Sequence, residues 1–354
     1  MSYAENAILT KSRAIYADRL TLENYNEMLQ SKSIAELVSY LASKTHYHNA
    51  FANATSVKMN RLMLESTVKR SLTDRLMSLC EFSKILGNGM YRYIVIKNDI
   101  REILSAVRFM EAPNKYEGLI SMPVFLDRIT TVNMRELAAA NSFEEIVEKL
   151  EKTEYHKVLG RFAANSTEML LIENALNKYL FEKSMEIAKK ELKSGERKAV
   201  EDFLKMTADV KLISNMYRMK TYFNFTAGDI ENCGLETGVT ALGKNQLREL
   251  KNAETKEDFF KSLKNTPYGK KFTTEDFSDI ETSLTKYVFE KASHNALYST
   301  YPNEVMLCCV FLGENEIKNI THIAEGIKFN VSPEIIKSKL ISREIMKEGE
   351  KAWQ

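Results

Sequence analysis

The stretch with the residue types for phosphate chemistry is Gly238–Asn245, G-V-T-A-L-G-K-N. Its G-x-x-x-x-G-K spacing is that of a loop whose backbone amides cradle phosphates while the lysine neutralises them. The position that should supply a Mg²⁺-binding hydroxyl holds Asn245, and the preceding A-G-D-I-E-N-C-G-L-E-T is not the buried strand such a loop leaves. The glycines are read instead as linker residues, and an ATP- or GTP-binding enzyme would have to show saturable binding lost in Lys244→Ala. The five histidines are His46, His48, His156, His294 and His322. His46-x-His48 lacks the i, i+4 spacing that puts two metal ligands on one helical face, so all five are read as turn or surface residues. Cys80, Cys233, Cys308 and Cys309 show no C-x-x-C spacing. They are read as reduced thiols, with the adjacent pair 308–309 acting as small buried hydrophobes. Glu144-Glu145 and Asp276/Asp279 read as solvated helix faces, and no nucleophile, base and orienting group come together. No catalytic residue, cofactor or metal is expected.

Composition points the same way. The chain has 354 residues, with 50 basic against 48 acidic side chains and a net charge of +2. That balance offers nothing to a polyanion, so no nucleic-acid partner is expected. With 44% hydrophobic residues a core can be buried, and 13 glycines and 5 prolines favour helices over loops or sheets. The longest strongly apolar run, Val305–Leu312 (V-M-L-C-C-V-F-L), falls far short of the roughly 20 residues a bilayer span needs. The N-terminal M-S-Y-A-E-N-A has no basic-then-apolar signal pattern, and a cytoplasmic location is expected. Contact with a membrane would pass through a partner or a surface patch.

The elements that must carry any function are repeated. Ile172–Lys183 reads I-E-N-A-L-N-K-Y-L-F-E-K and Ile280–Lys291 reads I-E-T-S-L-T-K-Y-V-F-E-K, identical at eight of twelve positions. The spacing predicts a helix with one apolar stripe and one wet side. A degenerate first version is Leu64-Glu65-Ser66-Thr67-Val68. Upstream, three capped helices recur. Ser33 precedes I-A-E-L-V-S-Y-L, Ser142 precedes F-E-E-I-V-E-K-L, and Thr255 precedes K-E-D-F-F-K-S-L. Each has an acid at the capping position, Glu36, Glu145 or Asp258. Each leads into a Thr-x-Tyr turn: Thr45-His46-Tyr47, Thr153-Glu154-Tyr155 and Thr266-Pro267-Tyr268. The helix before each cap offers paired apolar positions, Tyr25/Met28, Met134/Leu137 and Leu247/Leu250. A closing marker follows: Asp99-Ile100-Arg101, Asp209-Val210-Lys211 and Glu316-Ile317-Lys318. Its acid suits a helix N-terminus.

Three units of roughly 110 residues result, a normal domain size and too long for solenoid repeats. The expected domains are 1–122, 123–236 and 237–354, with boundaries at the composition shifts Ala112–Pro123 and Gly228–Gly243. Thr221–Thr226 (T-Y-F-N-F-T) is the best strand candidate, without a match in the third unit. Residues 5–20 read as a helix burying Ile8, Ala14, Ile15 and Leu20. Lys11, Arg13 and Arg19 on it are the candidate charged contact to a partner. Trp353, next to last in the chain, is read as a docking or packing residue.

Together these markers resemble the C-subunit family of the V/A-type rotary ATPases, the counterpart of the d-type subunit in the vacuolar enzyme. The matching residues are Lys11–Thr21 (K-S-R-A-I-Y-A-D-R-L-T), Tyr25-x-x-Met28-Leu29, Thr45-His46-Tyr47, Tyr301-Pro302 and Glu316–Gly326 (E-I-K-N-I-T-H-I-A-E-G). The resemblance covers almost the whole chain. It implies an all-α fold of three similar helical domains with pseudo-three-fold symmetry, forming a funnel or socket. It implies a non-catalytic central-stalk component, one copy per complex, that couples the central axle to the membrane proteolipid ring. The partners implied are the axle subunits and that ring, with membrane association through the ring alone. The alternative is an all-helical scaffold or adaptor outside an ATPase.

Overall fold

The computed structural model describes residues 3–52, 59–85, 87–110, 130–162, 166–234, 238–270, 272–273 and 279–346. Among them every regular element is helical, as the scarcity of glycine and proline predicts. The expected boundary at 112–123 and Trp353 lie outside the described residues. The chain divides into two compact units, one of which draws on both ends of the sequence.

The described residues of the first unit fall within Met1–Asn88 and Phe289–Gln354. It contains α1 (Tyr3–Ala17), α2 (Leu22–Leu29), α3 (Ile34–Lys44), α4 (His48–Phe51) and α5 (Arg61–Ile85). The final turns of α15 (Ile280–Tyr298), α16 (Pro302–Lys328) and α17 (Pro333–Lys339) complete it. Its centre is α16, which opens with Pro302 in the first turn, where the missing N–H costs nothing. The first turns of α16 are buried all round, Val305 to Val310 without exception, because α1 and α5 pack against it. A Cβ at Gly313 would lie 2.6 Å from Leu72 Cδ1, so α5 crosses α16 where a side chain is absent. On α1, Ile8 and Leu20 beyond its end are buried as expected, whereas Ala14 is exposed and Ser12 takes a buried place.

The second unit holds the described parts of Gly89–Lys115 and Asp127–Val288. It runs α6 (Tyr91–Met110), α7 (Met134–Ala138), α8 (Phe143–Lys149), α9 (Glu154–Leu159) and α10 (Ser166–Glu191). Then come α11 (Ser194–Phe223), α12 (Ala227–Asn232), α13 (Lys244–Asn252), α14 (Lys256–Lys264) and the first turns of α15. One of its cores gathers Ile213, Met216, Leu250, Phe259, Leu263 and Leu284.

One module recurs, once in the first unit and twice in the second. A long helix (α16, α6 or α11) is followed in the module by a short helix (α2, α7 or α13) and then by the capped helix (α3, α8 or α14). After the Thr-x-Tyr turn, a second long helix (α5, α10 or α15) completes it. All three caps form as the sequence predicts. Ser33, Ser142 and Thr255 accept from the amides of Glu36, Glu145 and Asp258 at 3.2, 3.2 and 3.1 Å. The paired apolar positions are buried in every copy.

Two expectations need correction. Thr221–Thr226 is not a strand. Thr221, Tyr222 and Phe223 finish α11, Asn224 turns the chain with φ +53°, and Thr226 caps α12 with Asp229 returning the bond. The β-prone composition loses to a capping box. The duplicated I-E-x-x-L-x-K-Y helix has no wet side over its first turns: from Ile172 to Phe181 and from Ile280 to Phe289 no residue is exposed. Glu173 is held by Lys211 at 2.5 Å and Glu281 by both sides of the Arg218 fork. Charged residues at polar helical positions can thus face another helix when a base meets them.

Candidate functional site

The acid of each closing marker lies buried, and its partner is the tyrosine of a Thr-x-Tyr turn. In the second unit Asp99 on α6 accepts the Tyr155 hydroxyl at 2.9 Å, the Thr131 amide at 3.0 Å and the Thr131 hydroxyl at 2.6 Å. Asp209 on α11 accepts the Tyr268 hydroxyl at 2.6 Å, the Ala241 amide at 2.9 Å and the Thr240 hydroxyl. In the first unit Glu316 on α16 accepts the Tyr47 hydroxyl at 3.0 Å and the Leu20 amide at 2.7 Å. The acid pairs forward in sequence twice, and the last acid reaches back to the first turn. In each copy the carboxylate joins the long helix to the chain just before the short helix and to the turn after the capped one. The threonine closes that turn, donating its hydroxyl to the carbonyl of Leu41, Leu150 or Leu263 at 2.6, 2.7 and 2.7 Å.

Burial sets the electrostatics of these joints. Desolvation pushes Asp99 up to about 6, against the hydrogen bonds that favour its charge, and raises Asp209 and Glu316. The same burial, with a carboxylate beside each phenol, raises Tyr47, Tyr155 and Tyr268. Buried carboxyls with raised affinity for protons are a common mark of catalytic sites. Here the carboxylate oxygens accept from a tyrosine, a threonine or a backbone amide, so the arrangement fastens elements together. Among the described residues no three or more His, Cys, Asp or Glu are placed to hold a metal ion.

The first copy differs in detail. Tyr179 and Tyr287 pack edge-on against Tyr155 and Tyr268, each at 5.4 Å between ring centroids. By the register of the repeated helix, Ser71 stands at their place, and a cleft of about 640 Å³ opens there, lined by Thr67, Ser71, Arg75 and His46. The eroded repeat seen in the sequence thus lacks the tyrosine of the repeated helix, and Tyr47 meets Phe51 edge-on instead, at 6.5 Å between centroids. His46 Nε2 lies 3.4 Å from Glu316, but burial and then the charge of Arg75 push its pKa down to about 4, so the contact is not an ion pair at neutral pH. The other turn histidines serve the backbone: Nδ1 of His48 meets the Ala42 carbonyl at 2.6 Å and Nδ1 of His156 meets that of Val147 at 3.0 Å. His294 and His322 are exposed, and Cys308 and Cys309 are buried, as expected.

Three successive amides of the phosphate-loop look-alike are engaged within the chain. The Ala241 amide is held by Asp209, that of Leu242 by the Thr240 hydroxyl at 3.0 Å, and that of Gly243 by Gln246 at 2.9 Å. Val239 and Leu242 are buried in the core.

The three candidate contact residues all have internal partners. Arg13 donates to the carbonyls of Ala296, Leu297 and Ser299 at 3.3, 2.9 and 2.8 Å, satisfying the C-terminal end of α15. Lys11 lies over the Phe82 ring at 5.5 Å. Arg19 covers the Tyr16 ring at 4.4 Å and meets Glu344 at 3.7 Å. The structure brings Arg13 into α1–α15 packing and leaves Lys11 and Arg19 partly open to solvent. Sequence reading misses the acid–tyrosine pairs, although it marks both members separately. Their equal recurrence, three acids and three tyrosines, is the available signal.

The described residues make an all-helical chain in which one buried acid–tyrosine joint recurs three times. Residues 8–339 match the family model of the ATP synthase (C/AC39) subunit, and the chain belongs to that family. It is similar to the C-type subunit of the A-type ATP synthase of Methanosarcina mazei, 24% identical over 94% of this chain and 91% of the relative. The same-named proteins of Methanocaldococcus jannaschii and Pyrococcus abyssi are each 24% identical, over 96% and 92% of this chain and 86% and 87% of theirs.

Proposed function

We propose that the chain is the non-catalytic central-stalk component of a V/A-type proton or sodium ATPase or synthase, coupling the central axle to the membrane rotor ring. The observation that carries this reading is the family match across residues 8–339, over a chain built on one module used three times. In this reading the repeats 1–122, 123–236 and 237–354 surround a common axis and form a socket, with one copy per complex. One mouth receives the axle and the opposite end rests on the ring. Among the described residues no helix is long and apolar enough to cross a membrane, which suits a protein held at the cytoplasmic face by its partners. Transmitting torque needs stiff elements and broad contacts, and buried joints between long helices provide the first. Lys11, Arg13 and Arg19 are proposed as a charged contact to a partner.

The test is a gentle-detergent pull-down from the native host's membranes with this chain as bait. Axle subunits, catalytic subunits and a small proteolipid are expected among the captured proteins. Recovery of soluble proteins alone would overturn the central-stalk reading. In the same assay Lys11→Glu with Arg19→Glu should weaken assembly at low salt while the isolated chain stays folded. Arg13→Glu is left out of that pair because it would also uncap α15. Unchanged assembly would remove these residues from the contact.

A further inference from the structure

The chain leaves α17 at Leu340 in an extended conformation and lies against α16. Leu340, Ile341 and Ser342 are all buried. A buried backbone outside a helix still needs partners for its N–H and C=O groups. Two asparagines on α16, one turn apart, supply them. Asn319 turns both halves of its amide to one residue: Nδ2 donates to the Ile341 carbonyl at 2.8 Å, and Oδ1 accepts the Ile341 amide at 3.0 Å. Asn315 Nδ2 donates to the same carbonyl at 2.7 Å. Tyr25 of α2 steadies the clamp, its hydroxyl accepting from Asn319 Nδ2 at 3.1 Å. An asparagine side chain carries the donor and acceptor of a peptide group, so it can stand in for a neighbouring strand.

The segment is fastened at one point. All three bonds from α16 converge on Ile341, and Ser342 then caps the turn that follows, accepting from the Ile345 amide at 3.2 Å. The next hold is the Arg19–Glu344 pair, 3.7 Å apart with both side chains 35% exposed, where an ion pair contributes little. The packing that buries α16 all round sits on its earlier turns, at Val305–Val310, under α1 and α5. Beneath the segment is a cavity of about 40 Å³, walled on one side by Ile341–Glu344 and elsewhere by Tyr16, Tyr25, His46, Tyr47, Cys309 and Glu316. The Tyr16 hydroxyl and His46 Nδ1 are buried without a hydrogen-bond partner in the protein. A polar cavity of this size has room for about one to three waters.

We propose that Leu340–Glu344 is a releasable strap, lifting from α16 as a local unit and admitting water to the Glu316–Tyr47 joint while the rest of the first unit stays folded. Release of Ile341 breaks every bond from α16 at once, whereas α1 and α5 are held along their length. Segments held by few contacts open at lower cost than the core they cover. The strap therefore governs the joint that ties the two ends of the chain together. Every residue involved belongs to the first unit, and the device works whatever the chain's partners. It also has a built-in reporter. Cys309 lines the cavity and its neighbour Cys308 does not, and both are buried.

The test is alkylation of the native full chain by iodoacetamide. Mass spectrometry follows each cysteine, scaled to its rate in the urea-unfolded chain, and amide exchange over 340–346 is read in parallel. In the unaltered chain Cys309 should react about tenfold or more faster than Cys308. Asn319→Ala, which opens the clamp on Ile341, should raise both the Cys309 rate and the exchange of 340–346 by a further factor on the order of five to ten, with Cys308 and the amides of α5 unchanged. Asn315→Ala removes one donor alone and should do the same to a smaller extent, which keeps the test open if Asn319→Ala does not fold. Equal rates for Cys308 and Cys309 in the unaltered chain would overturn the strap, because both thiols would then await unfolding of the whole unit. A faster Cys309 that ignores both asparagine variants would overturn it too, since the cavity would be opening by another route.

Discussion

Asp99 shows what a buried carboxylate costs and what it holds. Its pKa in the folded protein is raised to about 6 from an ordinary 3.8, chiefly by burial. A raised carboxyl favours folding in its protonated form. Its contribution is fully present below the unfolded pKa and is lost as pH rises through 6, an effect on the order of 3 kcal/mol by pH 7.5. Asp99→Asn removes that titration while keeping an oxygen for the Thr131 amide. Urea unfolding at pH 4 and pH 7.5 should therefore show the variant gaining on the parent by about 1–3 kcal/mol as pH rises. Equal differences at both values would show that the Asp99 charge is not penalised. The sequence displays Asp99, Asp209 and Glu316 as a recurring marker, and local reading gives them a helix-terminal role. It cannot show the true one, because Tyr155 lies 56 positions from Asp99 and Tyr47 lies 269 from Glu316. Pairing at that distance is decided by packing, not by local pattern.

At the level of elements the local rules are legible and the environment is not. The three N-caps and the paired apolar positions follow from spacing alone and appear as expected. The wet face assigned to the repeated helix does not, because Glu173 and Glu281 meet Lys211 and Arg218 from a neighbouring helix. The third turn shows how tight these elements are. A Cβ on Gly269 would meet the Leu263 carbonyl oxygen at 2.3 Å and its carbon at 2.6 Å, both backbone atoms that cannot swing aside. His48 and His156 follow the tyrosine in the other two copies, so the close approach belongs to the third alone. Gly269→Ala should cost about 2–3 kcal/mol by forcing the turn away from α14. It should also loosen Tyr268 from Asp209. Thermal melting and hydrogen exchange at α13 and α14 check this. An unshifted melting temperature would mean that the turn relaxes freely.

For the molecule as a whole, the first unit cannot be completed by the N-terminal part of the chain. Ile8, Leu41, Leu64 and Leu79 are buried in a unit whose central helix is α16, near the other end of the sequence. Ending the chain before Pro302 should leave α1 and α5 with rapid amide exchange, while the second unit, formed from Gly89–Lys115 and Asp127–Val288, keeps its protection. Hydrogen exchange with mass spectrometry reads both regions at once, and persistent protection of α1 in the truncated chain would contradict the arrangement. The threefold recurrence of the capped helix and its turn is visible in the sequence. That the last acid closes on the first tyrosine is not, since repeats in a line do not say whether the line returns to its start.

That return has a consequence during synthesis. The ribosome finishes Asn88 about 200 residues before it reaches Phe289, a gap of roughly 10–40 seconds at ordinary elongation rates of about 5–20 residues per second. Through that interval the nascent N-terminal segment carries the apolar faces of α1, α3 and α5 with no α16 to cover them. The second unit, Gly89–Lys115 and Asp127–Val288, has been synthesised in full before Phe289 is reached. The order of folding on the ribosome is thus the reverse of the order of translation for these two bodies. The early segment depends on whatever shields exposed apolar chain until Glu316 arrives to take the hydroxyl of Tyr47.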